Sequence, residues 1–175
     1  SIPSTSTVVS GVIEGDRTWS LANAPYYVVG TAYVESGHTL TIEPGVDVLF
    51  ASDTQLRVNG RLNAQGTESD SIRFISASLV DRWDGLVFDG GDSSKMSYVR
   101  VSGVEKLVGS DGENGGGILV QGQGSSIGMS HSVISDNIVF AQNEKPCAVI
   151  PETGHGGGLL ALDGSRATLE DCIVR

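Results

Sequence analysis

The residues that could do chemistry are few and scattered. His155 lies between Gly154 and Gly156, where an imidazole could move a proton, but hydrolysis of a glycosidic bond also needs two carboxyl groups and none is paired with it nearby. Asp89 and Asp92 in DGGD, and Asp111, Glu113 and Asn114 in SDGEN, place oxygen donors on glycine-rich loops, the ligand type that Ca2+ prefers. Neither stretch has EF-hand spacing, and the same residues act as turn formers without any metal. Calcium is therefore admitted as a ligand, and no cofactor is required. Cys147 and Cys172 either close one disulfide or sit as two small apolar side chains, and too few ligands cluster for zinc. Tyr33, with Trp19, Tyr26, Tyr27 and Trp83, offers aromatic faces to a sugar, although aromatics make up only 6% of the chain. Arg57, Arg73 and Arg100 fall on outward strand positions, where an arginine is usually solvated surface.

What must position these groups is a repeat. The 24 glycines punctuate short apolar alternations, a strand-and-turn pattern. Setting residues 32–50 above 56–74 aligns Ala32/Val34 with Leu56/Val58, Leu40/Ile42 with Leu62/Ala64, and Val48/Phe50 with Ile72/Phe74, at offsets of 24, 22 and 24. Residues 115–135 match 156–175 in the same way, placing Ile118/Val120 over Leu159/Ala161, Met129 over Leu169, and Val133-Ile134 over Ile173-Val174. Between them, 83–103 supplies Leu86/Phe88, Met96 and Val99/Val101.

Strands of three to five residues cannot form productive hairpins at this spacing, but each can pair with its equivalent one unit away. The expected fold is all-β: a right-handed parallel β-helix of about five three-strand coils over residues 26–175, roughly 24 Å tall, with a cap-like lead-in over 1–25. A β-sandwich or small barrel needs hairpin signals, and Asn59-Gly60 reads as a corner because it recurs at the position of Ser36-Gly37. Insertions at 104–114 and 138–155 exceed what a corner requires and leave the fold near one edge. The second is apolar enough to dock on the column, with Cys147 anchoring it to Cys172. The chain begins at Ser1 and ends on the strand-like CIVR, so its boundaries are expected to be processed or truncated.

The run from Tyr26 through TLTIEPGVDVLF, LRVNGRLNAQGTESDSIRF and WDGLVF resembles right-handed parallel β-helix repeat proteins of bacterial and archaeal cell surfaces. The later GGGI, ISDN, FAQN and GGGL resemble the repeats of polymorphic outer-membrane and adhesin-like proteins. That resemblance implies the fold and an extracellular or cell-surface setting, and leaves activity open, since such scaffolds serve adhesion, structure and carbohydrate chemistry alike. Gly-His-Gly is also one of several active-site motifs of β-helical polygalacturonases, but their Asn-Thr-Asp and Asp-Asp companions are missing ahead of Gly154. Gly156 to Gly158 instead fall at the corner held by Gly115 to Gly117 one unit earlier.

With 21 acidic against 11 dispersed basic residues, a net charge of −10 argues against nucleic acid. No apolar run is long enough to cross a bilayer as a helix. The resulting expectation is a non-catalytic extracellular structural or adhesive module, associating with itself or with further coils through open column ends. A fragment of a polysaccharide lyase or glycosidase is one alternative; a glycan-binding module, using Tyr33 and His155, is another.

Overall fold

The computed structural model describes residues 5–78, 82–90, 92–108, 116–141 and 157–175. Among these residues the chain is all-β, with one short 3-10 turn at Leu21–Asn23 and no α-helix. The strands in chain order are β1 (Thr7–Ile13), β2 (Arg17–Trp19), β3 (Tyr26–Val34), β4 (Thr39–Ile42), β5 (Asp47–Phe50), β6 (Leu56–Val58) and β7 (Arg61–Gln65). They continue with β8 (Ile72–Ser76), β9 (Leu86–Phe88), β10 (Ser93–Ser97), β11 (Val99–Ser102), β12 (Glu105–Val108) and β13 (Ile118–Val120). The last are β14 (Ser126–Ser130), β15 (Val133–Ser135), β16 (Ile138–Ala141), β17 (Leu159–Ala161), β18 (Arg166–Glu170) and β19 (Ile173–Val174).

Every pairing between these strands is parallel, and strands consecutive in sequence rarely pair. An eleven-stranded sheet runs β17-β13-β9-β6-β3-β5-β8-β11-β15-β19, with β1 also on β3, and a six-stranded sheet runs β18-β14-β10-β7-β4-β2. β3 spans two faces: its first residues pair with β5 and its last with β6. The chain therefore visits three strand ladders in turn and starts a new tier. The expected pairings hold at Ala32 with Leu56, Leu40 with Leu62, Ile118 with Leu159 and Met129 with Leu169, and the intervening unit places Leu86 beside Leu56 and Met96 beside Ala64.

One register differs from expectation. Val48 lies opposite Phe74, and Phe50 opposite Ser76, two residues on from the predicted partners. A shift of two keeps every inward residue inward, so burial alone does not forbid it. Two contacts favour it. Asp47 comes opposite Arg73, its carboxylate accepting from Nε and Nη2 at 2.5 Å, and Trp83 packs on Phe50. The indole stacks on Phe50 with centroids 4.0 Å apart, and its Nε1 donates to the Ser102 carbonyl.

The strands form because alternate residues are apolar and meet in one core: Leu40 and Ile42, Leu56 and Val58, and Leu62 and Ala64 are almost wholly buried while their neighbours face out. β9 and β13 break the alternation, with outward Val87 and Leu119 also buried, so these two strands are covered on both faces. At corners the backbone loses its ladder partners, and inward serines replace them. Ser94 Oγ accepts from Leu62 N, and Ser132 Oγ accepts from Val99 N and donates to the Ser130 carbonyl.

The corner after β10, β14 and β18 is left-handed in each tier without glycine: Tyr98, His131 and Asp171 have φ of 49°, 50° and 51°. Such a conformation costs an L-residue about 1–2 kcal/mol. Stacking of Tyr98 on His131 at 4.9 Å, and axial hydrogen bonds from Tyr98 N to Ser130 O and from His131 N to Glu170 O, offset it.

The lead-in lies over the first coil: β1 runs along β3 and β2 along β4, with Trp19 buried and stacked on Tyr26. Ile13 is buried and Val9 packs against the core, whereas Val8 and Val12 face outward and are more than half exposed. The two insertions start as β12 and β16, which pair with each other in a separate two-stranded sheet. Their remainders lie outside the described residues.

Truncating Phe50, wholly buried beneath Trp83, to alanine is expected to cost about 3–5 kcal/mol of unfolding free energy, read from urea denaturation. A loss under about 1 kcal/mol would show that the Phe50–Trp83 stack does not organise the core at the shifted register.

Candidate functional site

Outside β8 and β11 lies a groove of about 520 Å³, walled on one side by the start of β12 and β16. Its floor follows from register: Arg73 pairs with Arg100 across the tiers, and Ile75 with Ser102. Glu105, Asp136 and Ile138 form the wall. Two of the outward arginines, Arg73 and Arg100, are thus direct neighbours.

Each cation in and around the groove has a carboxylate. Arg73 is held bidentately by Asp47, Arg100 approaches Asp136 at 3.5 Å, and Arg82 meets Glu105 at 2.6 Å. The Arg100–Asp136 pair is largely exposed, and pairs of this kind contribute about 0–1 kcal/mol. It restrains the two side chains without closing the groove to a solute. Sequence reasoning missed this groove because its wall forms only once β12 and β16 pair; the two long insertions one repeat apart were the available signal.

Of the residues expected to bind calcium, Asp89 and Asp92 each face an arginine. Asp89 Oδ2 accepts from Arg57 Nη2 at 2.8 Å and from Gln121 Nε2 at 3.1 Å, while Asp92 lies 3.8 Å from Arg61. The hydrogen bond from Arg57 is the largest influence on Asp89 and holds its carboxyl below the ordinary value of 3.8, against the opposing effect of burial; Gln121 and the Arg57 charge add to the lowering. An arginine thus stands where a cation would be needed. No group of three His, Cys, Asp or Glu suited to a metal occurs among the described residues. Asp111 and Glu113 lie outside them.

Cys172 carries a free thiol that donates to the Glu170 carbonyl at 3.3 Å, and Cys147 lies outside the described residues. The position explains the thiol: one tier earlier Ser132 makes the same bond to Ser130, so Cys172 acts as a larger, weaker donor in an inward corner site. Tyr33 is exposed on β3 between Val12 and Arg57 in neighbouring tiers. Trp19, Tyr26, Tyr27 and Trp83 are buried, so no sugar-stacking platform assembles around Tyr33. His155 lies outside the described residues.

No family model matches the chain, and no solved structure matches it. Among curated proteins, Protein bark beetle of Drosophila melanogaster is 40% identical over 68 residues, which is 39% of this chain and 2% of that protein. The chain therefore spans a very small part of the relative it matches.

Because the folded-state value of Asp89 is depressed, the stability it contributes is present above its ordinary value and is lost as pH falls through the folded one. Asp89→Asn is expected to flatten the decline of Tm below about pH 4; superimposable curves for the two proteins would mean the Arg57 pair is absent in solution. Iodoacetamide is expected to label Cys172 without prior reduction. Labelling only after reduction would restore the bridge to Cys147.

Proposed function

We propose that the tiers form a right-handed parallel β-helix and that this column is an extracellular or cell-surface scaffold, structural or adhesive rather than catalytic, which extends end to end. Right-handedness follows from the strong preference of parallel crossovers for that hand. The observation that carries the reading is that every strand pairing among the described residues is parallel and joins non-consecutive strands, so successive repeats stack on one another.

A stack of parallel strands accepts a further strand at any free edge, whether from the same chain or from another copy. The cross-tier ion pairs support the scaffold reading too. Arg57, Arg73 and Arg100 each engage a carboxylate, so they brace neighbouring tiers rather than converge on a reacting atom.

Electron microscopy of the purified chain, with no ligand added and over a range of concentrations, is expected to show columns joined end to end. Isolated short rods at every concentration would remove end-to-end extension from the proposal.

A further inference from the structure

Among the described residues β1 is paired on one side only: it lies along β3, and no strand meets its other edge. Thr7 N donates to the Pro25 carbonyl, so Thr7 faces β3 and, by the alternation of a parallel ladder, Val8 turns its N–H and C=O to the free edge. Beyond the register shift at Ser10, Ala32 N donates to the Gln55 carbonyl and so faces away from β1. Gly11 opposite it therefore faces β3, and Val12 turns to the free edge as Val8 does.

Free edges are ordinarily guarded by charged side chains, proline or a covering segment. β1 contains no proline, and no residue from Ser1 to Ile13 is charged, although charged residues make up 18% of the chain. Val8 and Val12 are both outward and more than half exposed. They also stand two residues to either side of Ser10. An edge with that pattern is complementary to itself. An antiparallel copy centred on Ser10 sets Val8 against the partner's Val12, and Val12 against the partner's Val8.

We propose that this edge binds a second copy of the chain, two β1 strands pairing antiparallel across a two-fold axis at Ser10 so that the columns meet head to head. Because Val8 and Val12 both turn their backbone groups away from β3, each valine pair exchanges two N–H···O bonds. The bend of β1 is no obstacle, since the axis passes through it and exchanges its two arms. The first charged side chain, Glu14, lies outside the paired segment, so the joint sets no like charges opposite one another despite a net charge of −10. The joint rests on the stacked tiers of the reading above but not on end-to-end extension. A two-fold contact closes on itself and by itself gives a dimer and nothing longer.

Sedimentation velocity of the full chain is expected to show a concentration-dependent equilibrium between monomer and dimer. Val8→Lys combined with Val12→Lys puts lysine opposite lysine at both pairs and should weaken the dimer at least about tenfold. Tm, compared at a concentration where both proteins are monomeric, should not change, because both side chains are exposed. Ser10→Cys, with Cys147 and Cys172 replaced by serine, should give a disulfide-linked dimer on mild oxidation: opposed residues of a hydrogen-bonded pair lie about 5.5 Å apart at Cα, within disulfide range. A monomer at every concentration, a dimer that survives both lysines, or Ser10→Cys protein that does not cross-link would overturn the proposal. Polymers that form without the Ser10→Cys cross-link would uphold end-to-end extension and overturn this joint; cross-linked dimers without polymers would do the reverse.

Discussion

Among the described residues the strand hydrogen bonds run between tiers, and those within a tier are confined to turns. A strand such as β6 bonds to β3 and β9 and to neither of its sequence neighbours, so its partners lie 24 and 30 residues away. A lone tier would expose two rows of unsatisfied backbone groups and most of its apolar side chains. Stability therefore comes from repetition: each tier is the template for the next, and one continuous core from Ile13 to Ile134 forms only when they stack.

Corners carry the resulting demands. Where adjacent tiers press together, bulk is excluded; a Cβ at Gly90 would sit 1.9 Å from the Asn59 carbonyl oxygen. Where the chain turns but has room outside, larger residues are accepted in a left-handed conformation, and Tyr98 and His131 use that room to stack. Inward hydroxyls complete the accounting, since Ser94 and Ser132 supply acceptors to amide groups that the ladder leaves over.

Most strand pairings were legible because inward triplets such as Leu-x-Val recur at a nearly constant offset, and parallel stacking turns that offset into contact. The β5–β8 register was not, because a two-residue slip preserves the apolar pattern; it took the Asp47–Arg73 pair and the Trp83 indole, neither local, to choose between alternatives. The same limit governed the site residues. Asp89 looks like a metal ligand within DGGD, but Arg57 lies 32 residues earlier and faces it only after the tiers are in register. The corner role of Tyr98 was hidden for another reason: bulky residues seldom take positive φ, so nothing in its type announces a turn.

The perpendicular arrangement of strands and stacking direction bears on how such a chain responds to force. Tension applied along the stack loads the ladders one after another, so the outermost tier peels while the rest stay folded. A tier holds about 24 residues and adds about 4.8 Å to the stack, yet releases roughly 80 Å of chain when drawn out. A column of the proposed kind would in this sense be a spool: stiff until its end tier gives way, then lengthening in steps that each absorb work and leave the remaining turns intact.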